Sequence, residues 1–439
     1  MKNFFTKTVE YLLYAFIFLL PWQTRWMWYE GRLNGQFWEY GTFSLYATDI
    51  ILLGAALIAL FVYRGRVIRP RGHWVILLGL MLVSLVSAMI AKEQDMAWYA
   101  VGKFAEGFIL FWLVFRIRIS WRKISFFLVT SGLVQSVLGI WQFFSQKILA
   151  NKWLGLAEHD PGVLGDLVVE TTSGRWLRAY GSMPHPNVLA GFLAVCLLVC
   201  LSALVFYAKK QNIMQKIFFW SSLAVMQFAF ILTFSRSAWL ALLLCYLVML
   251  AVKLYQKNKE LFIMTAKAGL VLLIITTMTV IMLPDLWQTR ITGGRLEQMS
   301  VVQRADYYDQ ANELIKDYWY RGVGLNNFTQ ATYELDSAQE AWYYQPVHNI
   351  YYLSAVELGV IGGILLVVLF FWSVWIFYRH VIKINSSNIW LDAFGLALLC
   401  LFIIGLFDHY LWTLSAGILL FWLILAIYYK ISENIVVEK

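Results

Sequence analysis

Charge is scarce in this sequence. Asp, Glu, Lys and Arg make up 14% of its 439 residues, where a soluble domain carries about 25%. That shortfall argues against an ordinary water-soluble fold. Cysteine is scarce too. Cys196, Cys200, Cys245 and Cys400 all lie inside apolar runs, with no CxxC or Cys/His metal spacing, and read as small packing residues. There is no Walker loop, no dinucleotide fingerprint, no Asp-x-Asp element and no HxxxH or HExxH pair. No metal and no cofactor are therefore expected, and any donor substrate must carry its own activation. Internal repeats and low-complexity tracts are also lacking.

What is present is hydrophobicity, at 61% of residues and a mean hydropathy of +0.65. It comes in runs that approach the roughly 20 residues a spanning helix needs. The expected class is an all-α integral membrane protein, a single polytopic domain over residues 1–439. About twelve spans are expected, near 8–24, 43–63, 74–91, 98–115, 124–146, 186–208, 217–235, 237–253, 261–283, 348–378, 389–407 and 411–430. The first reads as a spanning helix and not a removed signal peptide.

The net charge of +9 does not point to nucleic acid, because Lys and Arg sit mostly in short loops between apolar runs. Lys2 and Lys7, then Arg64, Arg66, Arg69 and Arg71, then Arg116, Arg118, Arg122 and Lys123, fall on one side. Lys209, Lys210 and Lys216, Lys253, Lys257 and Lys259, and Arg379 and Lys383 continue the alternation. The positive-inside rule makes that side cytoplasmic and both termini internal. The other side holds an aromatic loop near 22–42, a loop at 147–185 and a long segment at 284–347 between spans nine and ten. Within the last, Val302, Ala305, Tyr308, Ala311 and Ile315 have helical spacing and predict an amphipathic helix, ended by Gly322 and Gly324.

The extracytoplasmic side also collects the residues able to carry chemistry. Arg178, His185 and Asn187 lie in RAYGSMPHPNVLAG, Arg236 in TFSRSAW, and Arg304 in the long segment. His348 and Asn349 lie in QPVHNIYYLSAVELGVIGG, and Asp408 and His409 in the turn between the last two spans. Arg236 interrupts an apolar stretch from Ile217 to Val252, and a charge at membrane depth costs about 2.5–3.5 kcal/mol. It is either an interfacial residue that snorkels to headgroups or an anion site, for which a guanidinium is suited by bidentate hydrogen bonding. His348 follows Pro346 at a helix start, as a capping residue or as a neutral base. Glu357, nine residues on, reads as a structural hydrogen-bonding group about 13 Å deeper along the same helix.

RAYGSMPHPNVLAG, the SRSAW turn, the stretch from Arg304 through GVGLNNF, and HNIYYLSAVELGVIGG together resemble the O-antigen ligase and polymerase superfamily of bacterial envelope glycosyltransferases. Their order and the long loop before the HN helix match it over essentially the whole chain. The resemblance implies a polyprenyl-diphosphate-linked glycan as donor. It implies an acceptor hydroxyl such as that of lipid A–core, and an active site on the outer face of the inner membrane. Arg178, Arg236 and Arg304 would hold the diphosphate, with Arg290 or Arg295 as alternatives to Arg304. His348 would deprotonate or orient the acceptor, supported by His185, Asn187, Asn349, Asp408 and His409. Attack on the anomeric carbon would invert it. A polymerase or a protein O-oligosaccharyltransferase of the same superfamily is the nearest alternative. A secondary transporter is the alternative from another class, disfavoured because the polar residues gather at one face and not near the midplane.

Overall fold

The computed structural model describes residues 2–63, 71–208, 212–383 and 388–437. The chain runs through α1 (Lys2–Leu19), β1 (Arg25–Tyr29), β2 (Arg32–Leu33), β3 (Gln36–Phe37), β4 (Phe43–Tyr46) and α2 (Ala47–Val62). There follow α3 (Gly72–Ile90), α4 (Gln94–Arg116), α5 (Trp121–Ser145), β5 (Val168–Thr171), β6 (Gly174–Leu177), α6 (Pro186–Ala208), α7 (Ile213–Leu232), α8 (Arg236–Tyr255) and α9 (Lys259–Met282). The last third holds α10 (Pro284–Thr292), α11 (Arg295–Tyr318), α12 (Phe328–Leu335), α13 (Ile350–Tyr378), α14 (Ile389–Ile404), α15 (Tyr410–Thr413) and α16 (Ser415–Val437).

Among the described residues, nine helices are long and apolar enough to cross a membrane: α3 to α9, α13 and α16. They coincide with nine of the twelve expected spans. The other three positions hold α2 and α14, apolar but 16 residues each, and the 18-residue α1, which carries Lys2, Lys7 and Glu10. Arg64, Arg66, Arg69, Lys209 and Lys210 of the basic loops lie outside the described residues.

Composition explains which helices sit at the centre. α6 is apolar on every side, and all of its apolar window is buried; α16 follows at 94%. Small residues allow its neighbours to approach closely. A Cβ on Gly191 would come within 1.9 Å of the Tyr410 hydroxyl oxygen. α9 is the opposite case, 17% buried, with Leu270, Leu273 and Met278 facing outward as lipid-contacting residues do. Two buried ion pairs that sequence reading did not single out, Lys103–Asp49 and Lys253–Asp392, tie α4 to α2 and α8 to α14.

Three features depart from expectation. The loops at 22–42 and 147–185, with the first residues of the span expected at 43–63, contain antiparallel ribbons, β1 with β4, β2 with β3 and β5 with β6. The strands are two to five residues long, too short for alternation to stand out. The helix predicted around Val302–Ile315 is α11, but its buried residues include Tyr307, Ala311 and Leu314, while Val302 and Ala305 are exposed. Its inner face is thus rotated by about one residue from the predicted one.

The third departure matters most for the site. α13 is sharply bent at Gly359, whose φ of 74° only glycine adopts easily. Tyr351 and Phe370 would be about 28 Å apart along a straight helix, yet their rings lie 6.4 Å apart. The first arm, from Ile350 to Leu358, starts against the end of α14, where Ile350 N donates to the Gly405 carbonyl. It ends beside Ser87, near the end of α3, and against the chain that follows α11. Gly322, with φ of 73°, lies so close there that a Cβ would stand 2.2 Å from the Glu357 carbonyl oxygen. Glu357 lies on this first arm, ahead of the bend, against the chain that follows α11. Its carboxylate accepts a hydrogen bond from Trp412 Nε1 at 2.8 Å, a structural role.

Candidate active site

Five separate stretches of sequence converge on one cavity of about 680 Å³ on the side of the bundle that carries α10 and α11. Arg178, His185, Asn187, Arg236, Arg290, Arg295, Arg304 and His348 all line it. Arg175 also lines it, and six arginines there face only Asp166, Glu170 and Glu297. Asp408, His409 and Asn349 are not among the lining residues.

The turn between α7 and α8 is held from two sides. Arg178 Nε donates to the Thr233 carbonyl at 2.7 Å. Arg290 donates from Nε and Nη2 to the Phe234 carbonyl at 3.0 and 2.7 Å, and from Nη1 to Glu297 at 3.0 Å. Phe234 has φ of 48°, a left-handed conformation unusual for an aromatic residue and a mark of a site held by its surroundings. The clamped turn sets Arg236 on the first turn of α8. Ser235, the N-cap, makes no side-chain capping bond, so the first amides of α8 stay available to an anion beside the Arg236 guanidinium. Arg236 is exposed to the cavity and makes no hydrogen bond to the described residues.

Arg178 is the most buried of these cations, 6% exposed. Its Nη2 donates to Asn187 Oδ1 at 2.8 Å, and Asn187 Nδ2 donates to Asp408 at 2.8 Å. The carboxylate thus supports the guanidinium through an amide and leaves it without a direct counter-ion. Burial, then the nearby Arg290, pulls the Arg178 pKa down to about 9. A buried cation in that state favours an incoming anion. The loop arginines differ in kind. Arg290 is spent on the turn and on Glu297, and Arg295 is exposed and paired with Glu170 at 3.2 Å. Arg304 has a buried Nε without a partner.

His348 is half-buried at the cavity wall, stacked on Tyr307 with ring centroids 5.9 Å apart and met edge-on by His409 at 4.8 Å. Asn349 caps α13 by accepting from Tyr351 N and Tyr352 N at 3.0 and 3.1 Å. The expected helix start is thus real, with the cap on Asn349 and His348 left free. Burial is the main cause that holds the His348 pKa well below its ordinary value, followed by His409 and Arg304. Its Nδ1 is inaccessible and makes no hydrogen bond to the described residues, while the Pro346 backbone works weakly against the downward shift. Nε2 is left as the nitrogen able to meet a substrate. His185 accepts from Asn187 N through Nδ1 at 2.9 Å, and burial holds its pKa at about 3. His409 is oriented by Thr413 at 2.8 Å, and burial brings its pKa to about 4. All three rings are neutral near pH 7. Tyr307 and Glu297 are the residues that sequence reading missed, because neither stands in a recognisable motif.

Residues 221–367 match the family model described as O-antigen ligase. No curated protein matches the chain. Among the described residues nine helices are long and apolar enough to cross a membrane, and the portion from α7 into α13 is similar to the O-antigen ligase family. Glycosyl transfer is the general activity that this family implies. The matched stretch includes Arg236, Arg290, Arg295, Arg304 and His348, and leaves Arg178, His185, Asn187, Asp408 and His409 outside it.

Proposed function

We propose that the chain transfers a glycan from a polyprenyl-diphosphate carrier to an acceptor hydroxyl such as that of lipid A–core. Transfer takes place on the outer face of the bacterial inner membrane, with inversion at the anomeric carbon. The observation that carries this reading is a cavity where under-neutralised arginines meet a neutral histidine. Arg178, Arg236 and Arg304 bind the diphosphate, and the charge they neutralise makes it a good leaving group. His348 Nε2 takes the acceptor proton as the hydroxyl oxygen attacks and the bond from the anomeric carbon to the phosphate oxygen breaks. Asn187 and Asp408 position Arg178, while Tyr307 and His409 fix the His348 ring.

The topology follows the same reading. Both termini are cytoplasmic, and 284–347 is an extracytoplasmic insertion in a single transmembrane domain. In support, Arg71 pairs with Glu433 toward the C-terminal end of α16, and Lys123 in the first turn of α5 pairs with Glu10.

The test is transfer by purified protein from polyprenyl-diphosphate-linked glycan to lipid A–core, with product analysis. His348→Ala lowers the rate at least about a hundredfold, the lower end of what a general base supplies, while diphosphate binding persists. Restoration by His348→Gln assigns the residue to orientation and not to proton transfer. Full activity in His348→Ala removes it from the mechanism. Extension of the carrier-bound glycan in place of transfer to lipid A–core would make the chain a polymerase.

A further inference from the structure

One end of the arginine cavity is not built for an anion. On α11, Ser300, Gln303, Arg304 and Tyr307 recur at helical spacing and all line the cavity. Arg304 is the one cation of the four. The Ser300 hydroxyl and the Gln303 amide make no hydrogen bond among the described residues. Trp342 and Gln345 line the same cavity. Gln345 Nε2 donates to the Trp342 carbonyl at 3.1 Å, and its amide oxygen is left without a partner among the described residues. Ring contacts place this group at the His348 end. Tyr307 stacks on His348 and also meets Tyr343, the residue after Trp342, at 6.0 Å between centroids. Trp342 is 59% exposed on a backbone that is otherwise locked. The β2–β3 hairpin does the locking: Asn34 Nδ2 donates to the Ser337 and Gln339 carbonyls at 3.0 and 2.8 Å, and Gln36 Oε1 accepts from Ala341 N at 3.3 Å. Leu33 and Trp38 then bury Ala341 and Tyr344 in one apolar cluster. The indole is thus held open to the cavity by a braced segment.

A sugar ring matches this set of groups. Its C–H face is apolar and packs on an indole, while its hydroxyls both donate and accept, as uncommitted amides and a hydroxyl require. A diphosphate offers acceptors to cations and has no use for an apolar face, and an acyl chain has no use for the amides. We infer that Trp342, Gln345 and Gln303 form a saccharide subsite beside His348, in which one sugar ring packs on the Trp342 indole. The inference rests on the glycan-transfer reading above and deepens it: the arginines hold the diphosphate whatever it carries, and this end of the cavity reads the sugar. Two sugars meet at the reacting centre, the one attached to the diphosphate and the one that bears the acceptor hydroxyl. Both present the same chemistry to Trp342, and the experiment separates them.

Binding constants test this without needing turnover. The full-length chain is reconstituted in phosphatidylethanolamine–phosphatidylglycerol nanodiscs. Kd is measured for bare polyprenyl diphosphate and for polyprenyl diphosphate carrying the glycan isolated from the source cells. The wild type should hold the glycan-bearing lipid at least about tenfold more tightly, a difference of about 1.4 kcal/mol. Trp342→Ala should erase that difference and leave the Kd of bare polyprenyl diphosphate within about twofold. Trp342→Tyr, which keeps an aromatic face, should restore most of it. If neither donor constant moves in Trp342→Ala while the acceptor KM rises about tenfold in the transfer assay, the ring belongs to the acceptor and the subsite stands. No change in any of these constants, or equal weakening of the bare and the glycan-bearing lipid, would overturn the inference and make Trp342 an interfacial anchor. A glycan-dependent loss of binding in a chain that transfers no glycan would refute the proposed reaction and leave the subsite standing. Glycan transfer with unchanged constants in Trp342→Ala would do the reverse.

Discussion

Arg178 pits stability against function most directly. Burial pulls its pKa from the ordinary arginine range down to about 9, which at about 1.4 kcal/mol per pH unit is of order 5 kcal/mol against the charged form. The sign is fixed: the unfolded chain binds this proton more tightly, so the charged residue weakens the fold at every pH below about 9. Arg178→Met keeps the length and removes the charge. It also strands the Asn187 amide oxygen and the Thr233 carbonyl, each a loss of roughly 1–3 kcal/mol. The two effects nearly cancel, so thermal stability without ligand should stay within about 2 kcal/mol of wild type or rise. With polyprenyl diphosphate the outcomes part. Wild-type protein at a hundred times Kd gains about 2.7 kcal/mol, and the variant gains almost none. Thermal unfolding in nanodiscs, with and without that lipid, measures both. A variant several kcal/mol less stable, yet with the full ligand-induced gain, would make Arg178 a structural residue and refute the reasoning.

Because burial keeps His348 neutral, kcat/KM should stay level from about pH 8 to pH 5.5, and an inflection near 6.5 would show a ring that is not desolvated. The three depressed histidines also bind protons more readily in the unfolded chain, so stability should fall as pH drops below 6.5, read by denaturation across pH 7 to 5. Arg236→Lys keeps the charge but not the planar two-point contact, and should lose most transfer at matched expression; near-wild-type rates would reduce Arg236 to an anchor. Asn349→Ala removes the cap of α13 and should cost about 0.5–2 kcal/mol in unfolding experiments, with His348 chemistry retained. A Cys placed at Asp336 should react with an impermeant reagent in cells whose inner membrane is intact, and labelling only after permeabilisation would invert the topology.

The spans were legible because lipid imposes a crude constraint. A helix must be apolar for about 20 residues whatever it packs against, and α6 announces itself without reference to any partner. α1, α2 and α14 satisfy it less fully, being short or charged, because neighbours and not length carry them. What escaped the sequence is set by tertiary contact. The bend at Gly359 depends on the chain after α11 lying against Glu357. Apolar periodicity cannot register it, since both arms of α13 are apolar in their own right. The glycines were visible, but close packing in a straight helix accounts for them equally well until Tyr351 and Phe370 are seen to meet.

The site was legible for a different reason. A charge in an apolar setting is costly, so every Arg and His near a span end was a candidate before any geometry was known. Cost alone could not rank them. Arg290, Arg295 and Arg304 are alike in sequence and differ in what has already claimed them: a turn carbonyl with Glu297, an exposed glutamate, and, at the buried Arg304 Nε, no partner. The arginine whose hydrogen bonds are not yet spent is the one with most to gain from a diphosphate, and that favours Arg304 over its two neighbours. The same logic separates the histidines. His185 and His409 each have a ring nitrogen engaged by Asn187 or Thr413, whereas His348 is held by ring contacts with Tyr307 and His409, which in the proposed reaction would leave Nε2 for the substrate. In the proposed reaction, binding and catalysis would thus fall to polar groups whose hydrogen-bonding capacity the fold has not fully used.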